Sequence, residues 1–268
     1  MRLILILCLL PFFAKAESIP PSFAKMESIR FPGPDGMVLN GTLFLPKGKA
    51  KAPAIVALHG CGGPLPARDD DWAKRLSAMG HIVLLPDSYG SRGLGSQCTN
   101  ASRHVTAGGK RREDAIAALR YLAARPGTPP GGVLLMGWSD GGTTVLTAGR
   151  ESPELPAGLL RGMVAFYPGC AAAERKSWIP AAPVLILMGD ADDWTPAAPC
   201  HAVAERLPAK VKMVTYAGAY HDFDVPDRPV KIMSGLAFPP SGHAHAGSNP
   251  TAREEALRQV PAFIAGLP

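Results

Sequence analysis

Short continuous apolar runs alternate along this chain with stretches whose apolar residues recur every three or four positions. Pro53–Leu58, Ile82–Leu85, Val133–Gly137, Met163–Tyr167 and Val184–Met188 are runs of the first kind. Their length and unbroken apolar character predict strands covered on both faces. Val211–Tyr216 adds a further strand. The stretches of the second kind predict helices over Asp69–Met79, Ala107–Ala124, Asp140–Ala148, Ala197–Leu207 and Thr251–Ala265. Ile116, Leu119 and Leu122 share one side of the second of these, and Pro126 stops it. Ahead of them, Ser28–Pro32 and Met37–Leu45 flank the turn Gly33-Pro34-Asp35-Gly36 and predict a hairpin. Strands alternating with helices at this spacing imply an α/β fold with a mostly parallel central sheet and helices on both faces. In such sheets active groups gather on loops at the carboxyl ends of the strands.

Length and composition narrow this picture. The chain has 268 residues, 47% of them apolar, enough for one domain with a sizeable core. Residues 1–16 stand apart. Arg2 supplies a positive start, Leu3–Phe13 is almost wholly apolar, and Ala14-Lys15-Ala16 places small residues where a signal peptidase reads. The apolar run is shorter than the roughly 20 residues a membrane span needs. We therefore expect a signal peptide over 1–16, a single domain over 17–268, and a secreted or periplasmic protein with no membrane attachment after cleavage.

Loss of Arg2 and Lys15 lowers the formal net charge from +6 to +4. The basic residues are scattered. Lys47, Lys49 and Lys51 share a turn, and Lys110-Arg111-Arg112 runs straight into Glu113-Asp114. Aromatic residues do not interleave with them, so no nucleic-acid partner is expected. Cys8 leaves with the signal, and Cys61, Cys98, Cys170 and Cys200 remain. An even number in an exported chain suggests two disulfides, with three connectivities open. Cys61–Cys98 and Cys170–Cys200 are preferred, because each pair joins loops after neighbouring predicted strands. No Cys-x-x-Cys or His-x-x-x-His spacing supports a metal site, and no cofactor is expected.

Chemistry enters at Gly137-Trp138-Ser139-Asp140-Gly141, a G-x-S-x-G pentapeptide. It follows a predicted buried strand and opens a predicted helix, the context in which this motif presents a nucleophile. Small residues two before and two after the serine let the neighbouring backbone pass. Free N–H groups at the helix start favour developing negative charge. The competing reading is a glycine turn with a capping serine. A serine hydroxyl needs a base to take its proton. Among seven histidines, His221 stands on the loop after the last predicted strand, where a Ser…Asp…His chain order puts that base. His59, His81, His104, His201, His243 and His245 are read as ordinary polar contacts.

The group that orients the imidazole should come from Gly189–Pro196, which offers Asp190, Asp192 and Asp193. Asp190 is read as a turn residue and Asp192 is preferred, although spacing alone does not separate it from Asp193. His59-Gly60-Cys61-Gly62-Gly63 follows the first central strand. The backbone N–H groups of Cys61 and Asp140 are therefore the expected oxyanion donors. Tyr89, Arg92, Trp138, Trp194 and Tyr220 lie on or beside the loops expected around Ser139, as candidates for substrate binding. Arg92 offers a fork for a substrate carboxylate, with a turn arginine as the alternative. Trp138 is more readily a packing residue.

From about Ile29 to the final helix the chain resembles the dienelactone hydrolase family of α/β-hydrolases. The resemblance rests on Leu58-His59-Gly60, Pro86-Asp87-Ser88-Tyr89-Gly90, Gly137–Gly141, Tyr167-Pro168, Gly189–Pro196 and Tyr220-His221-Asp222-Phe223. In this family the catalytic aspartate stands four residues before a proline, a spacing that Asp192 and Pro196 match and Asp193 does not. Cys170 and Cys200 look like a paired feature of exported relatives. The best-known members carry a cysteine at the elbow and act on dienelactones in the cytoplasm, whereas this chain has a serine and an export signal. The resemblance implies a serine hydrolase that cleaves small-molecule carboxylic esters through an acyl-enzyme on Ser139, Asp192 and His221. Peptidases and acyltransferases use the same triad, and a non-catalytic binding protein on the scaffold is a further reading. No propeller or long lid domain is visible in the sequence, which favours small or exposed substrates.

Overall fold

The computed structural model describes residues 23–268, so the expected signal peptide lies outside the described residues. The chain runs β1 (Phe23–Pro32), β2 (Val38–Pro46), β3 (Ala54–Leu58), α1 (Pro66–Ala78), β4 (Val83–Asp87), α2 (Lys110–Ala124), β5 (Val133–Trp138), α3 (Asp140–Ala148), β6 (Leu160–Phe166), β7 (Val184–Gly189), α4 (Ala198–Arg206), β8 (Val211–Tyr216), β9 (Lys231–Ser234), β10 (His243–Ala246) and α5 (Pro250–Ala265). Strands β1 to β8 form one sheet in the order β1-β2-β4-β3-β5-β6-β7-β8. β1 and β2 pair antiparallel, as do β2 and β4, while every pairing from β4 to β8 is parallel. This is the mostly parallel sheet that the alternating pattern predicts. No helix among the described residues is long and apolar enough to cross a membrane.

Every residue of β3, β5 and β7 is buried. Successive side chains on a strand point to opposite faces, so both faces of the sheet centre are covered. Ile55, Leu135 and Leu185 from the strands join Trp72, Leu119 and Val145 from the helices in one continuous core. The two disulfides are Cys61–Cys98 and Cys170–Cys200. The first joins the loops after β3 and β4, and the second the loop after β6 to the start of α4.

Two differences from the sequence reading have clear causes. β1 begins at Phe23 rather than Ser28, because residues 23–27 pair with residues 43–46 of β2. An edge strand takes its order from its partner, and local apolar alternation does not reveal it. The second difference is β9 and β10, which form a separate antiparallel ribbon in a Gly- and Pro-rich stretch. An isolated two-stranded ribbon is marginal in water. Here it is tied to the body: the Gly247 N–H donates to the His221 carbonyl at 2.9 Å, and the Ala237 N–H to the Cys98 carbonyl at 2.9 Å.

Strand order also locates the site. β3 lies between β4 and β5, so the chain leaves β3 toward one side and returns on the other. Such a switch point opens a crevice beyond the carboxyl ends of the strands. Cys61 lies just beyond the end of β3, and Ser139 directly follows β5.

Candidate active site

Ser139 occupies a backbone conformation that few residues adopt, with φ 53° and ψ −118°. Such a position costs about 1–3 kcal/mol and persists only where the surroundings enforce it. Here they do. A Cβ on Gly141 would lie 2.2 Å from the Leu58 carbonyl oxygen, and one on Gly137 would lie 2.6 Å from the Gly141 carbonyl. Both approaches are backbone to backbone, so only glycine allows the turn. The Ser139 N–H donates to the Phe166 carbonyl at 3.0 Å, and the Thr143 N–H to the Ser139 carbonyl at 2.8 Å. The serine side chain makes no cap bond to α3, which removes the capping role as its explanation.

His221 lies on the loop after β8, held by its carbonyl bond from Gly247 and by a bridge to Ala246. Its ring lies between Tyr167, at 4.5 Å between centroids, and Trp194, at 4.7 Å. Nδ1 is 2.8 Å from Asp192 Oδ2. An ionised carboxylate can only accept, so Nδ1 carries the proton and Nε2 presents its lone pair. Nε2 is buried and makes no hydrogen bond. Burial disfavours the imidazolium, but the charge of Asp192 and its hydrogen bond outweigh it and raise the His221 pKa above its ordinary value.

Asp192 is itself fixed by the turn it starts. Oδ1 accepts from the backbone N–H of Trp194 at 2.9 Å and of Thr195 at 2.8 Å, and Oδ2 accepts from the Thr195 hydroxyl at 3.2 Å. Asp193 points elsewhere, accepting from the His245 backbone and ring, each at 2.8 Å, on the exposed surface. Asp190 closes a turn by accepting from the Gly218 N–H at 2.6 Å. The fold thus brings Asp192, and neither neighbour, to His221.

The backbone N–H groups of Cys61 and Asp140 donate to no acceptor among the described residues. Behind them lies a buried polar cluster. Asp140 accepts from Arg111 at 2.5 Å and from the Tyr89 hydroxyl at 2.9 Å, and pairs with Arg103 at 2.8 Å. Burial opposes its ionisation, yet Arg111 and Arg103 hold its pKa below the usual carboxylate value. The Tyr89 hydroxyl is pushed up to about 12, chiefly by burial, so it remains a donor. His59 is pushed down to about 3 by burial and by Arg111. It is neutral, accepts from the Ser88 N–H at 3.2 Å on Nε2, and meets the Gly60 carbonyl at 2.8 Å through Nδ1. Both of its nitrogens are occupied, so it does not compete with His221 as a base.

Two cavities flank Ser139. One, of about 290 Å³, is lined by Ser139, His221, Trp194, Arg228, Met233 and Leu236 among others. The other, of about 350 Å³, is lined by Ser139, Arg103, Thr143, Ala171, Ala172 and Phe238 among others. Cys61, Cys98 and Trp194 border both. A larger cavity of about 600 Å³, around Ile116 and Tyr121, does not include Ser139, so chemistry and not size identifies the site.

Of the five residues offered as candidates for substrate binding, Trp194 alone borders these cavities. The other four expectations are corrected. Arg92 spends its fork on Asp114 at 2.7 and 2.8 Å, donates to the Ser88 carbonyl at 2.7 Å, and borders neither cavity. Tyr89 is buried and bonded to Asp140. Trp138 is fully buried, donates to Asp224 at 2.9 Å, and stacks under Arg68 at 4.8 Å. Tyr220 stacks on His245 at 4.9 Å and borders neither cavity.

Sequence reasoning missed a buried network beneath His221. Asp224 accepts from Trp72 at 2.8 Å and from the Tyr167 hydroxyl at 2.6 Å, besides Trp138. Arg68 donates to Asp69 at 2.8 Å and to Asp222 at 3.2 Å. Arg68 and Asp69 open a helix whose first turns read as solvated charges, so no local signal marks their burial. The Asp222-Phe223-Asp224 sequence beside His221 is the one hint.

The sequence pattern that defines the dienelactone hydrolase family matches residues 39–266. No curated protein matches the sequence. Among solved structures, a dienelactone hydrolase-like promiscuous phosphotriesterase from metagenomic libraries is similar over 91% of this chain and 99% of its own, at 20% identity and TM-score 0.69. Esterase 2 of the planctomycete Thermogutta terrifontis, with propionate bound, is similar over 92% of this chain and 95% of its own, at 19% identity and TM-score 0.63. At these identities the structural likeness shows a shared α/β-hydrolase fold.

Proposed function

The chain belongs to the dienelactone hydrolase family, which makes it an ester-cleaving hydrolase, and on that premise we propose that it works through an acyl-enzyme on Ser139. The observation that carries this reading is the state of His221. Its Nδ1 is tied to Asp192, its lone-pair nitrogen is unengaged, and its ring borders the same cavity as Ser139.

In this mechanism His221 Nε2 takes the Ser139 proton as Oγ attacks the ester carbonyl. The Cys61 and Asp140 N–H groups hold the oxyanion, and Asp192 stabilises the imidazolium. His221 then hands its proton to the departing alkoxide. Water enters on the same side, loses a proton to His221 and attacks the acyl carbon; the acyl–Oγ bond then breaks, His221 returns the proton to Ser139 Oγ, and the acid leaves. Because His221 must reach the leaving oxygen, the alcohol occupies the cavity that His221 lines. The acyl group then extends into the cavity lined by Thr143, Ala171, Ala172 and Phe238.

Turnover of p-nitrophenyl acetate tests the assignment. Ser139→Ala, Asp192→Asn and His221→Ala should each lose most of kcat, and wild-type rates in all three would overturn it. Export to the periplasm or beyond belongs to the same proposal. The pattern of residues 1–16 and the two disulfides support it. The mature protein, recovered from its compartment, should begin at Glu17 by amino-terminal sequencing.

A further inference from the structure

The loop that carries the proposed oxyanion donor is held locally at Gly60, whose carbonyl meets the His59 ring at 2.8 Å, while Cys61 itself is tied from outside the loop. In Gly60-Cys61-Gly62-Gly63 the one side chain is that of Cys61. Gly63 has φ 88°, and a 3.3 Å backbone bond from its N–H to the Gly60 carbonyl closes the turn. A Cβ on Gly63 would meet nothing within 4 Å, so no side-chain packing restrains the turn at that position. The outside tethers of Cys61 are the 2.8 Å bond from the Gln97 N–H to its carbonyl and the disulfide to Cys98.

Cys98 in turn anchors the wall of the cleft. Its carbonyl accepts from Ala237, on the arm that joins β9 to β10. That arm contributes Leu236 to one cavity and Phe238 to the other, and Met233 of β9 lines the first beside Leu236. The disulfide thus connects the donor loop, the segment after β4 and the arm after His221, and both cysteines border both cavities. Cys170–Cys200 differs, since both of its cysteines are buried in the core and neither borders Ser139.

We propose that Cys61–Cys98 is a positioning bond for the reaction: it holds the Cys61 N–H at the oxyanion site and keeps the arm against the cleft, so that opening it lowers turnover in a folded protein. This rests on the reading of Ser139 as nucleophile. Cys98 is the more exposed partner. A dithiol reductant attacks Cys98 Sγ, and Cys61 leaves as a thiolate that takes up a proton. The second thiol of the reductant then displaces Cys98 and closes its own disulfide.

The test measures kcat and KM on p-nitrophenyl acetate during graded dithiothreitol treatment of the full oxidised chain. Alkylation and peptide mass spectrometry report which disulfide has opened. Misplacing one oxyanion donor should lower kcat by roughly tenfold to a hundredfold, below the full loss of about 10²–10³ for a donor removed. KM should move far less, and reoxidation should restore kcat. The Cys61→Ala/Cys98→Ala double variant should show the same kcat loss with a cooperative thermal transition, and reductant should add nothing to it. An unchanged kcat after Cys61–Cys98 opens would overturn the proposal. So would a double variant that no longer folds, since the bond would then serve the fold and not the donor. Fluorophosphonate labelling of Ser139 in the oxidised chain separates the two readings: without labelling the nucleophile assignment itself fails.

Discussion

Replacing Asp192 by asparagine alters one atom in a site where the remaining geometry dictates the result. Two backbone N–H groups, from Trp194 and Thr195, converge on Oδ1. An asparagine must therefore keep its carbonyl there, which puts its NH₂ where Oδ2 now meets His221 Nδ1 at 2.8 Å. An amide N–H in that position cannot accept a proton from Nδ1. The imidazole must move its proton to Nε2 and offer Nδ1 as acceptor. The nitrogen facing the cavity then carries hydrogen and cannot deprotonate Ser139. The imidazolium formed during attack also loses its counter-charge. Together these effects should lower kcat by about 10³–10⁴-fold, or about 4–5.5 kcal/mol at roughly 1.4 kcal/mol per tenfold, with a much smaller change in KM. The assay is p-nitrophenyl acetate turnover across pH, with Asp193→Asn as the matched control. Asp193 contacts exposed His245, so that variant should stay within about twofold of wild type. A kcat for Asp192→Asn within tenfold of wild type, or an equal loss in Asp193→Asn, would refute the reasoning.

Four further outcomes are expected. The acid limb of the wild-type kcat/KM profile should have its midpoint above the ordinary imidazole value of about 6.5, because Asp192 raises the His221 pKa and activity needs the neutral ring; in Asp192→Asn the limb should move to lower pH. The same shift adds stability below about pH 6.5 that is lost as pH rises through the raised pKa, and thermal midpoints of wild type and Asp192→Asn should converge over that range. Gly141→Ala places a Cβ 2.2 Å from the Leu58 carbonyl oxygen, and should cost about 3 kcal/mol or more by denaturant unfolding. Arg92→Ala strands the buried Asp114 carboxylate and should cost about 3 kcal/mol of stability, with KM for neutral esters unchanged.

Much of this molecule is written locally. Ala54–Leu58, Val133–Trp138 and Val184–Gly189 are legible as strands because a parallel strand covered on both faces must be apolar throughout, and that run exists before any folding. The elbow around Ser139 is legible for a similar reason, since Gly137 and Gly141 answer a steric demand within five residues. Chain order puts Asp192 and His221 on successive loops at one end of the sheet. Which carboxylate meets the ring is a different kind of fact. Asp192 and Asp193 are adjacent and chemically identical, and the turn from Asp192 to Thr195 sends one inward and the other to the surface. Likewise Arg92 reads as free until Asp114, 22 residues on, comes within reach. Arg68 and Asp224 look like surface charges until the sheet brings them under Tyr167. A strand or a tight turn is selected by the sterics and solvation of neighbours along the chain. A buried ion pair or a pinned ribbon is selected by partners that become neighbours only after the backbone has closed around them.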